Sequence, residues 1–304
     1  MTRSRGLGDV YKRQSYYMSL SGTSQATAIA SGVAGLTREF IREQVGVSSP
    51  SSALVKAAMI NGARDLGTAD IPNAAEGWGE VDLERTVLPM DGSTLLDTFM
   101  DDKKTLSPGF GLLYSFSIDP SHGLDLTLAW TDEAGSAIAP QSQARLVNDL
   151  DLVLVGPDGT EWLGNDFAQG FTTTGGTPDS VNNVERIRVA PGTLPAGLGD
   201  YVVKVLHRGG TEQDFALVMS AVATPTPQPD LAVFDGSILS SSENPLKDDL
   251  ISIRLAWINQ GTSTTPSFDI MLEDTTSQTV LSTATRPSLG AGMIDSYTLS
   301  LIHI

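Results

Sequence analysis

The string Ser21-Gly22-Thr23-Ser24-Gln25-Ala26-Thr27-Ala28 carries a serine, through a turn of small residues, into the first turn of an apolar helix. The first N–H groups of a helix lack intrahelical acceptors and carry a partial positive charge. A serine Oγ placed there can attack a carbonyl carbon while its own backbone N–H faces the developing oxyanion. The same string can also serve as a plain helix cap, because Ser and Thr are favoured at that position. A second chemistry lies in Asn148-Asp149-Leu150-Asp151-Leu152. Strand alternation places Asp149 and Asp151 on one face, opposite Leu150 and Leu152. Two such carboxylates suit a hard cation or a solvated acidic face.

The elements that position these residues follow from period and punctuation. Residues 24–43 read as a helix whose first half, Ala26 to Leu36, has almost no polar side, which predicts a buried helix. Gly32 and Gly35 inside it predict close packing against a neighbour. A second helix is expected from Ser51 or Ser52 to Asn61, with Pro50 before it and Gly62 after it. From about Gly92 the period becomes two, and 125–130, 150–155 and 201–206 read as strands, with a turn at Pro157-Asp158-Gly159-Thr160. Several short strands within this stretch suggest an antiparallel sandwich or jelly roll. The run Thr224-Pro225-Thr226-Pro227-Gln228-Pro229 reads as an extended linker, and 230–234, 250–259 and 268–273 as further strands. Trp257 is expected in a core.

Composition narrows the function classes. The chain has 304 residues, with Lys+Arg 19 against Asp+Glu 36 and a net charge of -17, which speaks against nucleic-acid binding. No apolar run is long enough for a membrane span. With Cys 0, thiolate metal sites and disulfides are excluded, a usage that fits a secreted bacterial protein. The end segments Asp9-Val10-Tyr11-Lys12-Arg13-Gln14 and Leu299-Ser300-Leu301-Ile302-His303-Ile304 can be encoded by reverse-complementary DNA words of the kind used as sequencing adapters. Natural sequence is therefore expected from about Ser15 to Thr298, with 1–14 and 299–304 set aside.

The serine string resembles the nucleophile segment of the subtilisin-like serine peptidases. Gly22, Thr23, Ser24 and Ala26 match the family pattern, as does Gly32-Val33-Ala34-Gly35-Leu36 downstream. Gln25 stands where Met is usual and Ala28 where Pro is usual. Leu54 to Ala63 and Gly77-Trp78-Gly79-Glu80-Val81-Asp82 are similar to the closing helix and final loop of the same domain. The resemblance implies Ser24 as nucleophile, with its backbone N–H in the oxyanion hole and Gly22 and Thr23 as motif support. It also implies that the triad Asp and His and the oxyanion-hole Asn precede the serine and lie upstream of this chain. The histidines His122, His207 and His303 follow the serine and are expected to be structural or superficial.

Residues 146–160, 164–167 and 181–185 are similar to the β-sandwich that follows the catalytic domain in large alkaline subtilisins, and to the P domain of proprotein convertases. Asp132, Asp149, Asp151, Asn165, Asp166, Asn183 and Glu185 then gather enough oxygens for a structural calcium site, the alternative being a solvated acidic face. Residues 230–298 resemble a truncated immunoglobulin-like adhesion module. The expected fold is thus an α/β remnant (15–90, the C-terminal helices of a subtilisin-like domain), an all-β antiparallel sandwich or jelly roll (91–223), a linker (224–229) and a partial Ig-like β-sandwich (230–298). The function implied is a secreted, monomeric serine endopeptidase acting on protein and peptide substrates. Calcium is its only expected cofactor. A noncatalytic extracellular β-sandwich adhesion protein with a protease remnant is the alternative.

Overall fold

The computed structural model describes residues 22–67, 70–138, 145–196, 200–233, 238–241, 250–259, 261, 263–274, 279–291 and 293–302. The chain divides into two compact units, one of Met1–Leu112, Ile118–Leu198 and Val203–Ala223, the other of Leu113–Ser117, Gly199–Val202 and Thr224–Ile304. The expected boundary at 90/91 falls inside the first.

Small residues without an internal proline form helix α1 (Thr23–Phe40), which passes into a π-helical turn, Ile41–Val45. Gly46 ends it in the left-handed conformation at φ 86°, and Val47 N–H closes back on Ile41 O at 3.2 Å. The expectation of a buried helix is corrected here. Among the described residues only Thr37 of α1 is buried, while Ile29 is 62% and Leu36 50% exposed. A Cβ added at Gly32 or Gly35 would meet nothing within 4 Å. An all-apolar helix is buried only where neighbours cover every side, and the described neighbours begin to cover this one from about Val33 onward.

Helix α2 (Ser52–Gly62) starts as the punctuation predicts. Ser51 Oγ accepts the N–H of Leu54 at 2.9 Å, and Asp102 in turn accepts from Ser51 N–H at 2.9 Å and from its hydroxyl at 2.5 Å. Gly62 is required by packing, since a Cβ there would lie 2.7 Å from both the Cα and the backbone N of Thr86 in helix α3 (Leu83–Val87).

The strands of the first unit are β1 (Met90–Asp91), β2 (Thr94–Leu95), β3 (Asp97–Leu106), β4 (Gly111–Ile118), β5 (Leu124–Trp130), β6 (Asp149–Val155), β7 (Glu161–Ala168), β8 (Phe171–Thr174), β9 (Val184–Val189), β10 (Tyr201–Gly209), β11 (Gln213–Ala221) and β12 (Ala223–Pro225), parts of β4, β10 and β12 belonging to the second. Antiparallel pairing orders one sheet β3-β11-β5-β9. In the other, β10, β6, β7 and β8 are successive neighbours, and β12 adjoins β4. The two sheets meet where β9 touches β6, β7 and β8.

Period two gives the first sheet two different faces. One face carries Leu126, Leu128, Ile187, Leu217 and Met219, all buried between the sheets. The other carries Ala129, Val184, Ala216 and Val218, which form one core with Leu54, Ala57, Ala58 and Ile60 of α2 and Ile41. The second unit holds β13 (Leu231–Ala232), β14 (Ile238–Ser240), β15 (Leu250–Asn259), β16 (Phe268–Asp274), β17 (Thr279–Arg286) and β18 (Ile294–Ile302). Strand β15 pairs with β13, β14 and β18, and β16 pairs with β17. Trp257 is 3% exposed and meets Phe268 edge-on at 5.9 Å, as expected of a core residue. The fold is mostly antiparallel sheet with few helices.

Candidate functional site

Ser24 is the second residue of α1, behind Gly22 at φ 144°. That backbone favours glycine, and a Cβ at Gly22 would also lie 2.9 Å from Gln25 Oε1. The first N–H taken up inside the helix is that of Ala26, which donates to Gly22 O at 3.1 Å. No side chain caps the end, because the capping position is Gly22. The N–H of Ser24 therefore has no intrahelical partner, and its side chain stands at an exposed position. Thr27, whose hydroxyl donates to Thr23 O at 2.7 Å, supports the first turn from within.

Neither described histidine hydrogen-bonds to Ser24. His122 Nδ1 lies 3.1 Å from Asp91 Oδ2, and buried His207 has Nε2 2.6 Å from Thr211 O. His303 lies outside the described residues.

The predicted oxygen ligands divide into two groups. Asp151 and Glu185 are 2% and 1% exposed and Asp149 is half-buried, so a merely solvated face is overturned for the first two. Glu185 Oε2 accepts the N–H of Leu152 across the sheets at 2.6 Å, and Asp151 Oδ2 accepts from Arg208 Nε. Three oxygens remain buried without a hydrogen-bond partner: Asp149 Oδ1, Asp151 Oδ1 and Glu185 Oε1. Burial pushes the Glu185 carboxyl well above its usual range, the Leu152 N–H opposes that, and the charges of Asp151, Asp179 and Asp149 reinforce it. Burial likewise raises Asp149, helped by Asp151 and Asp179 and opposed by Arg208 and His207. Gly164 on β7 makes room for Glu185, whose Cβ would be 2.7 Å from any Cβ added there.

The other predicted ligands are committed elsewhere. Asp132 accepts the N–H groups of Val147 and Asn148 at 2.8 and 2.9 Å, and Asp166 accepts the Thr173 hydroxyl at 2.9 Å. Asn183 accepts from Lys56 Nζ at 3.2 Å and donates to Trp130 O at 3.1 Å. Asn165, at φ 64°, donates to Asp179 Oδ2 at 2.6 Å and to Val184 O at 2.8 Å. Asp179 was not singled out by the sequence. It sits in a turn, accepting the N–H of Val181 at 2.8 Å, where no strand period marks it. Among the described residues no group of three or more His, Cys, Asp or Glu is arranged to hold a metal.

Comparison with known proteins bears on the helical part. Residues 3–79 match the model of the subtilase family. This segment is subtilase-like. A curated relative, the serine protease/ABC transporter B family protein tagA of Dictyostelium discoideum, is 32% identical over 204 residues, spanning 62% of this chain. The chain covers 11% of that relative's length. Among solved structures, a putative β-galactosidase from Bacteroides fragilis is 12% identical with a TM-score of 0.19, covering 67% of this chain and 29% of its own. A β-glucuronidase from Bacteroides uniformis is 12% identical with a TM-score of 0.17, covering 66% and 23%. Likenesses that low carry no argument. The subtilase-like segment contains Ser24, α1, α2 and the loop through Gly77-Trp78-Gly79.

Proposed function

We propose that Ser24 is the nucleophile of a subtilisin-like serine endopeptidase whose Asp, His and oxyanion-hole Asn are supplied by sequence outside these 304 residues. One observation carries the reading: within a subtilase-matching segment, Ser24 stands exposed at a helix N-terminus whose N–H groups have no capping side chain. In the reaction Ser24 Oγ bonds to the scissile carbonyl carbon, its proton passes to the histidine, and the Ser24 N–H stabilises the oxyanion. The amine leaves with that proton, and water then releases the acyl group. Substrates are proteins and peptides, and the setting is extracellular. Calcium is proposed as a structural cofactor of the sandwich; Asp149, Asp151 and Glu185 are not grouped to hold it as they stand, so it would have to draw their unpartnered oxygens together. The support is the three orphaned carboxylate oxygens, the donor chemistry a hard cation takes. When bound, it supplies positive charge that relieves carboxylate repulsion.

The full-length gene product tests the serine. Treated with a fluorophosphonate probe, it should be labelled on the peptide bearing Ser24, and Ser24→Ala should lower kcat by about 10⁶, the scale of nucleophile loss in subtilisin. A peptidase whose turnover survives Ser24→Ala would refute the assignment.

A further inference from the structure

Three guanidinium groups converge on one carboxylate below the C-terminal end of α2. Arg186 Nη2 donates to Asp125 Oδ1 at 2.7 Å, Arg188 Nε lies 3.6 Å from the same oxygen, and Arg85 Nη2 is 4.0 Å from Asp125 Oδ2. Register explains the convergence: Asp125 on β5 faces Arg188 on β9, Thr127 faces Arg186, and α3 brings Arg85 over them. Arg186 has 0% exposure, yet its Nε and Nη1 have no hydrogen-bond partner, and neither has the buried Nε of Arg85. A cavity of about 130 Å³ opens at this point, lined by Arg85, Arg188, Asp125, Asp91, Phe171 and Ser220 among others. The second carboxylate, Asp91, is already engaged by His122 Nδ1 and the N–H of Gly123, each at 3.1 Å. Arg186 itself does not line the cavity, and its Nη2 also donates to Asn61 O at 3.0 Å. With Asp125 held by Arg186, and Asp91 by His122 and Gly123, Arg85 and Arg188 are the two cations left facing the cavity. One carboxylate cannot satisfy three five-donor forks, and buried N–H groups left unmade are costly.

We propose that this cavity binds one tetrahedral oxoanion, phosphate or sulfate. The guanidinium fork matches oxoanion geometry, and a cavity of about 130 Å³ has room for an anion of five heavy atoms. Bound there, the anion ties Arg85 of α3 to Arg188 of β9 and so fastens the helical segment to the sheet. Nothing in the peptidase reading requires it.

The test uses the full 304-residue chain, desalted and titrated with sodium phosphate, sodium sulfate, sodium acetate or sodium chloride at matched ionic strength. Calorimetry should show one saturable site for phosphate or sulfate, with the melting midpoint raised by about 4 °C at saturation. The two titrations separate the two anions. Arg85→Gln and Arg188→Gln should each weaken binding about tenfold or more, with their melting in chloride retained. If either variant does not fold, broadening of the phosphate ³¹P signal by the unaltered chain, reversed by sulfate, decides the matter. A non-saturating rise shared by the variants would be general salt stabilisation and would overturn the site. So would the absence of binding heat, and equal affinity for acetate would overturn the tetrahedral assignment.

Discussion

Asp149 Oδ1, Asp151 Oδ1 and Glu185 Oε1 are the residue-scale feature that most needs a counter-ion. Each is a buried acceptor without a donor, in a cluster where burial and mutual charge already hold Glu185 and Asp149 above their usual range. If calcium occupies the cluster, free metal at about 100 times Kd adds roughly 2.7 kcal/mol, a rise of several degrees in midpoint. We expect the full chain to melt higher in millimolar calcium than in chelator or in sodium chloride of equal ionic strength, and Asp151→Asn with Glu185→Gln to abolish the difference. Equal midpoints in calcium and sodium chloride would reject the site. Asp149 and Asp151 were legible because a strand places alternate residues on one face. Glu185 reaches them only through sheet stacking, and Asp179 lies in an aperiodic turn, so the sequence marked the first as one of seven oxygens and the second not at all.

At the scale of elements, α2 is fastened at both ends, and only one fastening was visible in the sequence. Pro50, Ser51 and Gly62 announce its limits, and the structure places them at 52–62. The other fastening is Asn61, 4% exposed, whose Nδ2 donates to Ser220 Oγ at 2.9 Å while its Oδ1 accepts from Thr127 Oγ1 at 3.0 Å. Arg186 Nη2 adds a donor to Asn61 O at 3.0 Å, serving a C-terminal carbonyl that the helix itself cannot satisfy. Nothing local distinguishes this asparagine from a helix-ending residue, since its partners come from β5, β9 and β11. Asn61→Ala leaves two buried hydroxyls without partners, which should cost about 2–3 kcal/mol. Urea unfolding measures this, and a second change, Ser220→Ala, should recover part of the loss. A loss below about 0.5 kcal/mol would show that the junction is not made in solution. The sequence misjudged α1 for the opposite reason. Its composition reports what the helix prefers to touch, and Ile29 and Leu36 lie on faces that no described neighbour covers.

At the scale of the whole molecule, the sequence reads as a helical piece followed by a sandwich, whereas the first unit joins them through one apolar layer. Leu54, Ala57 and Ala58 are each at most 1% exposed, and Ala129, Val184, Ala216 and Val218 of the sheet are at most 2% exposed against them. These sheet positions look like ordinary alternating strand residues, far from α2 in sequence, so no period or motif revealed the joint. The helical segment has little else to bury: α1 is largely exposed, and α3 has 5 residues. Burying a leucine side chain is worth about 1.5–3 kcal/mol, while ordering each residue's backbone costs about 1–2 kcal/mol. A chain of residues 15–90 therefore lacks the core to fold alone. Expressed separately, it should show little helix by far-UV circular dichroism and should bind a hydrophobic dye. Residues 15–223 should melt in one cooperative transition, and Leu54→Asp in that longer chain should lower or abolish it, because the charge would be forced between α2 and the sheet. A cooperative, helical 15–90 would show that the segment owes nothing to the sandwich. The expected outcome makes the sheet a structural support for α2, so a substitution at Val218 or Val184 should loosen α2 from below.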